Sequence, residues 1–191
     1  MFKARGRGRG RPAMLSAGAI EIGADGVDEL KTGLRIEGGG EDALAGGLLG
    51  SAAALCEQFT GRALLTRPFA QVLAASSAWT RLSACPVQAI FGVDTIAADG
   101  SAAVLAAGEY AVDIDAAGEG WVRLTAPVGT GRIRVRYEAG IAADWAGLPE
   151  ALRHGIVRLA AHLYAQRDRD TEAGPPAAVT ALWRPWRRVR L

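Results

Sequence analysis

Apolar positions in this chain first recur at helical intervals, then alternate, then return to helical spacing near residue 148. Val27, Leu30 and Leu34 share one side of a short helix predicted over residues 27–36, with Asp25 or Asp28 placed to cap it. A break at Gly38-Gly39-Gly40 follows. Leu44, Leu48, Ala52, Leu55 and Phe59 then form one helical stripe, which Glu41 and Asp42 open at the positive end of the dipole and Gly61 closes. Gly46, Gly47 and Gly50 interrupt this helix, each at roughly 1 kcal/mol against alanine. Such glycines point to close approach of a neighbouring backbone.

Between residues 63 and 138 the pattern is that of strands. Residues 64–73 are extended but interrupted by Pro68, which assigns them an edge position or a bend. Residues 87–96 form a second strand entered through Pro86, and the Asp99-Gly100 turn leads towards Val104 and Leu105. Tyr110, Val112 and Ile114 alternate with polar or small residues, and 121–124 make a further short strand. Ile133, Val135 and Tyr137 face one way, whereas Arg132, Arg134, Arg136 and Glu138 face the other. These strands read as an antiparallel β-meander with one buried face. The last long helix starts near Leu148, with Pro149 in its first turn and an apolar stripe of Leu152, Ile156, Leu159, Ala160 and Leu163. Charge takes over at Arg167, and Gly174-Pro175-Pro176 ends the domain. The order of elements predicts an α+β fold with N-terminal helices, the meander, the long C-terminal helix and an extended C-terminal tail. It divides the chain into a disordered basic leader (1–26), a folded body (27–174) and a partner-binding tail (175–191), with Met14 as a candidate alternative start.

Composition changes this picture in one respect, the distribution of charge. The net charge is only +2 over 191 residues. Nine of the 22 basic residues lie in the first and last eleven residues, where there is no acid, so 13 basic residues face all 20 acidic ones in between, a balance of −7. An acidic body with two basic ends points to ends that seek a partner. Cys56 and Cys85 lack metal-ligand spacing and read as buried reduced thiols. The uncharged run over residues 43–56 is too short to span a bilayer, so no membrane partner is expected.

Catalytic chemistry finds no constellation. There is no phosphate loop, nucleophile elbow or metal-binding histidine pair, and no metal or cofactor is expected. His154 and His162 lie eight residues apart on one helix, about 12 Å by helix rise, and read as structural. Asp113 and Asp115 share a strand face without the further oxygen ligands that calcium needs. The row Arg132, Arg134, Arg136 has two readings: a phosphate-binding face, or the solvated face of a sheet paired with acids on the next strand. The tail, Leu182-Trp183-Arg184-Pro185-Trp186-Arg187-Arg188-Val189-Arg190-Leu191, combines residue types that dominate interface hot spots. It docks into a neighbouring protein or folds back onto its own domain.

Four of these segments together resemble one family. Glu57-Gln58-Phe59-Thr60-Gly61-Arg62, at the end of an acidic, Leu-rich helix, is similar to the helix-to-strand turn of phage head–tail connector (adaptor) proteins. Pro86-Val87-Gln88-Ala89-Ile90, Val135-Arg136-Tyr137-Glu138-Ala139-Gly140 and Leu148-Pro149-Glu150-Ala151-Leu152 resemble its later motifs, in the family's order. The similarity covers residues 27–170 and is nearest to the adaptors of gene transfer agents. It implies a structural, non-enzymatic subunit of a virion or phage-like particle. Such subunits form a homo-oligomeric ring, a dodecamer, between the portal protein and a tail-side stopper or tail-terminator protein, and DNA passes through the lumen without sequence specificity. Residues 182–191 then become the portal-binding segment. The rival is a nucleic-acid-binding protein that uses the basic termini and the Arg132/Arg134/Arg136 face.

Overall fold

The computed structural model describes residues 14–129, 131–167 and 175–188. They form an α+β fold with two hydrophobic centres, one helical and one between sheets. Strands β1 (Met14–Ala17), β2 (Arg67–Ala74), β8 (Arg132–Ala139), β4 (Val87–Ile96) and β5 (Ala102–Val104) make a five-stranded antiparallel sheet in that spatial order. Strands β3 (Thr80–Arg81), β7 (Gly120–Leu124) and β6 (Tyr110–Ile114) make a smaller sheet. Helices α1 (Ala24–Leu34), α2 (Asp42–Thr60), α3 (Glu150–Gln166) and α4 (Ala177–Trp183) assemble around Leu30, Leu49, Leu152, Ile156 and Leu159, all buried.

The strand order differs from a meander. β8, late in sequence, lies between β2 and β4, and β3, β6 and β7 leave to form their own layer. Alternation decides which face of a strand is buried, but it carries no information about which strand pairs with which. The buried face of β8 is the expected one: Ile133, Val135 and Tyr137 are at most 2% exposed. They pack with Phe69 and Leu73 of β2 and with Leu82, Val122 and Leu124 on the side of the smaller sheet.

Three further expectations are corrected. The leader assigned to residues 1–26 is part of the fold from residue 14 onward: β1 pairs with β2 through Met14↔Val72 and Ala17↔Phe69, and Ile20 and Ile22 pack on the helical core. Residues 1–13 lie outside the described residues. On α2, the buried side is Ala45, Leu49, Ala52, Ala53, Cys56 and Thr60, while Leu44 and Leu55 of the expected stripe are exposed. This helix is apolar nearly all round, so spacing alone leaves its rotation ambiguous, and small residues were chosen for the crowded side. Finally, residues 177–186 are not extended: they form α4 and a 3-10 turn (Arg184–Trp186).

The sheet core contains one buried polar network. Gln71 Oε1 accepts hydrogen bonds from the Ser83 N–H (2.8 Å) and the Tyr137 hydroxyl (3.1 Å), and its Nε2 donates to Ser83 Oγ (2.9 Å). The Tyr137 oxygen in turn accepts the Ala84 N–H at 3.2 Å, and its ring stacks on Phe69 with centroids 5.6 Å apart. Burial pushes the Tyr137 phenol up to about 12, so it remains a neutral donor throughout the physiological range. Removing the hydroxyl in Tyr137→Phe leaves the Ala84 N–H without this acceptor. The expected loss is about 1–3 kcal/mol of unfolding free energy in urea titration, and an unchanged midpoint contradicts the network's contribution.

Candidate functional site

The motif at the end of α2 has a clear local function. Gly61 ends the helix in the left-handed region (φ 69°), with its N–H donating to the Glu57 carbonyl at 2.8 Å. Thr60 Oγ1 donates back to the Cys56 carbonyl at 2.7 Å. The Glu57 carboxylate then reaches past the turn. It accepts the Leu64 N–H at 2.7 Å and both arms of the Arg67 guanidinium at 2.8 and 2.7 Å. One carboxylate thereby ties the helix end to the first residue of β2. The bidentate geometry fixes direction as well as distance.

The C-terminal segment sits on this junction. Trp183 is fully buried, its indole 6.0 Å from the Phe59 ring and its Nε1 directed at the Leu152 carbonyl at 3.4 Å. Gly155 of α3 makes the seat, since a Cβ there would stand 2.2 Å from that nitrogen. Beyond Trp183, the Trp186 carbonyl accepts Arg62 Nε at 3.0 Å, and the Arg188 N–H donates to the Thr60 carbonyl at 2.7 Å. The Arg187 guanidinium lies 5.7 Å over the Phe59 ring. Arg62, Thr60 and Phe59 of the motif thus hold the chain's far end.

Arg188 extends the clamp to the smaller sheet. Its guanidinium donates to Glu119 Oε1 at 2.9 and 2.7 Å and to the Ser83 carbonyl at 3.2 Å, while Arg81 reaches the other Glu119 oxygen at 3.0 Å. Burial alone would disfavour the Glu119 anion, but its two arginine partners outweigh that and hold its carboxyl below the usual carboxylate range. Burial pushes the Cys56 and Cys85 thiols up, so both stay protonated and unreactive.

The expected portal-binding residues therefore divide. Trp183 is in the protein's own core, Leu182 and Trp186 are half-buried against it, and Arg188 is committed to Glu119. Arg184, Pro185 and Arg187 are exposed. Val189, Arg190 and Leu191 lie outside the described residues. The signals for folding back were present in the sequence: Val179, Leu182 and Trp183 repeat at helical spacing, and Pro175-Pro176 begins a helix as readily as it ends one.

The arginine row resolves to its structural reading over two of its three members. Arg134 (2.8 Å) and Arg136 (3.2 Å) both pair with Asp94 of β4, a carboxylate that is 2% exposed. Arg132 Nη2 donates to the Ala97 carbonyl at 3.3 Å. A phosphate would have to compete with these partners, which weakens the nucleic-acid alternative. Among the described residues no cluster of three metal-ligating side chains occurs, and no helix is long and apolar enough to cross a membrane.

This fold is that of a particle neck component. The chain aligns with a chain in the neck of an empty gene transfer agent (GTA) particle computed with C6 symmetry, at TM-score 0.74 and 29% identity, covering 93% of this chain and 97% of that one. The virion of a native gene transfer agent particle gives the same values, and the neck of the native particle computed with C12 symmetry gives a TM-score of 0.71 at the same identity and coverage. The resemblance read from four motifs thus extends over nearly the whole length of both chains. No family model and no curated protein matches the chain.

Two outcomes test the clamp. Trp183→Ala should lower unfolding free energy by about 3–5 kcal/mol, as for other fully buried tryptophans, and calorimetry or denaturant titration reads this directly. Glu119 is depressed in the folded state, so its stabilisation is present above the ordinary carboxylate value and lost as pH falls through its lowered one. Melting temperatures of the unaltered protein should accordingly fall more steeply under acid than those of Glu119→Gln. Parallel curves for the two would contradict the clamp.

Proposed function

We propose that this chain is a head–tail connector (adaptor) subunit of a gene-transfer-agent-like or phage particle, acting as a structural ring component and not as an enzyme. The observation that carries this reading is the match to gene transfer agent neck chains at 29% identity over 93% of the chain. The connector-type turn, Glu57 to Arg62, supports it by occupying a built structural position, the joint that seats the C-terminal segment. In the particle, copies of the chain form a ring between portal and tail-side proteins, and DNA passes through the lumen. An acidic body suits that passage, because a broadly basic lumen would hold phosphate in place.

Contact with the portal falls to the C-terminal segment. Trp183, Leu182 and Arg188 fix its course along the body, while Arg184, Pro185, Trp186 and Arg187 present a cationic surface with an aromatic edge. Such a segment matches a portal groove lined with acids and apolar groups.

The experiment is co-purification with the portal protein of the same gene cluster. Arg184→Glu/Arg187→Glu alters exposed side chains and gives up only the exposed Arg187–Phe59 contact, worth about 0.5–1 kcal/mol, so melting should fall by no more than a few degrees, whereas portal capture should drop at least tenfold. Undiminished capture by this folded variant would overturn the assignment of the portal contact. Loss of the connector role itself would appear as no capture by the unaltered chain.

A further inference from the structure

Two faces are largely apolar and, among the described residues, not covered by another element of the fold. The first is the outer side of α2. Ala43, Leu44, Gly47, Ser51, Ala54 and Leu55 are all exposed there, and residues 43–56 contain no charge. Outside the helix's own backbone, nothing lies within 4 Å of a Cβ built at Gly46, Gly47 or Gly50. The close approach that these glycines permit is therefore not used by any of the described residues. A helix apolar on all sides is ordinarily covered on all sides. Acids gather at the start of this face: Glu37 is exposed, Glu41 accepts the Tyr164 hydroxyl at 2.7 Å, and Asp42, the first residue of α2, pairs with Lys31.

The second is the outer face of the five-stranded sheet. Register places Met14, Val72, Arg134, Asp94 and Val104 in one row across β1, β2, β8, β4 and β5, opposite the side that packs on the smaller sheet. Met14 and Val104 are 76% and 74% exposed, and Phe91 stands above a cleft of about 490 Å³ beside Arg136. Arg132, Arg134 and Arg136 stand on this face against Asp94, which pairs with the last two, and Glu138, so it carries one net positive charge between apolar edges.

The faces are complementary: a thin apolar helix preceded by acids, and an apolar sheet crossed by arginines. Resting on the connector reading above, we propose that the outer face of α2 in one copy packs on the outer face of the five-stranded sheet in the next. The contact is between two different surfaces of the same chain. It is therefore heterologous, and such contacts close into rings when the rotation allows. The glycines of α2 let the partner's sheet approach the helix backbone, and the acids before α2 meet the arginine row.

The test is a bifunctional maleimide applied to necks from particles carrying Gly47→Cys/Val104→Cys, with each single variant in parallel. The native Cys56 and Cys85 are at most 2% exposed and give little background. A covalent ladder from the double variant, with only monomers from each single variant, is the expected result. A dimer from Gly47→Cys alone would show α2 meeting α2 and overturn the proposal. Necks that contain the chain but yield no ladder from the double variant would overturn this interface and leave the connector role standing. Particles that assemble necks without the chain would overturn the connector reading and this interface with it.

Discussion

The Glu57 carboxylate is the constraint on which the rest of the structure depends. It neutralises Arg67, caps the Leu64 N–H and so fixes how the chain turns from the helical layer into the central sheet. Charge-assisted bonds in a half-buried setting are stronger than their exposed counterparts and far less tolerant of losing one member. With the turn direction set, the residues between Glu57 and Arg67 become a fixed platform. Thr60, Arg62 and Phe59 then receive the C-terminal segment from far along the sequence, as in the contact between Arg62 and Trp186, 124 positions apart.

This arrangement links the two hydrophobic centres. Trp183 belongs to the helical core, and Arg188, five residues later, reaches Glu119 at the edge of the smaller sheet and the Ser83 carbonyl. Ser83 also donates its N–H to Gln71 in the buried network of the sheet core. A displacement of the C-terminal segment therefore meets resistance from both layers, through packing on one side and paired charges on the other. In the proposed connector role, Arg184 and Arg187 would meet a partner from a stiff base, so less ordering entropy is lost on contact.

Much of this was legible from spacing. Gly61 as a helix terminator, the buried face of β8 and the strand over Val87–Ile96 follow from local chemistry, and the structure places them where the residues indicate. Sheet order was not legible, because β8 joins β2 and β4 by pairings remote in sequence that alternation does not encode. The rotation of α2 was hidden by its apolar content on every side. The seat for Trp183 depends on Gly155, a residue whose meaning appears only when α4 lies against α3. Arg134 and Arg136 read as a possible phosphate face until Asp94 is seen buried between them.

Electron cryo-microscopy of particles produced by the gene cluster that encodes this chain tests the central claim most directly. The account predicts a ring of copies of this fold in the neck, with the surface around Arg184 to Arg187 directed at the portal. A neck built without the chain, or the chain found instead along packaged DNA, would contradict it.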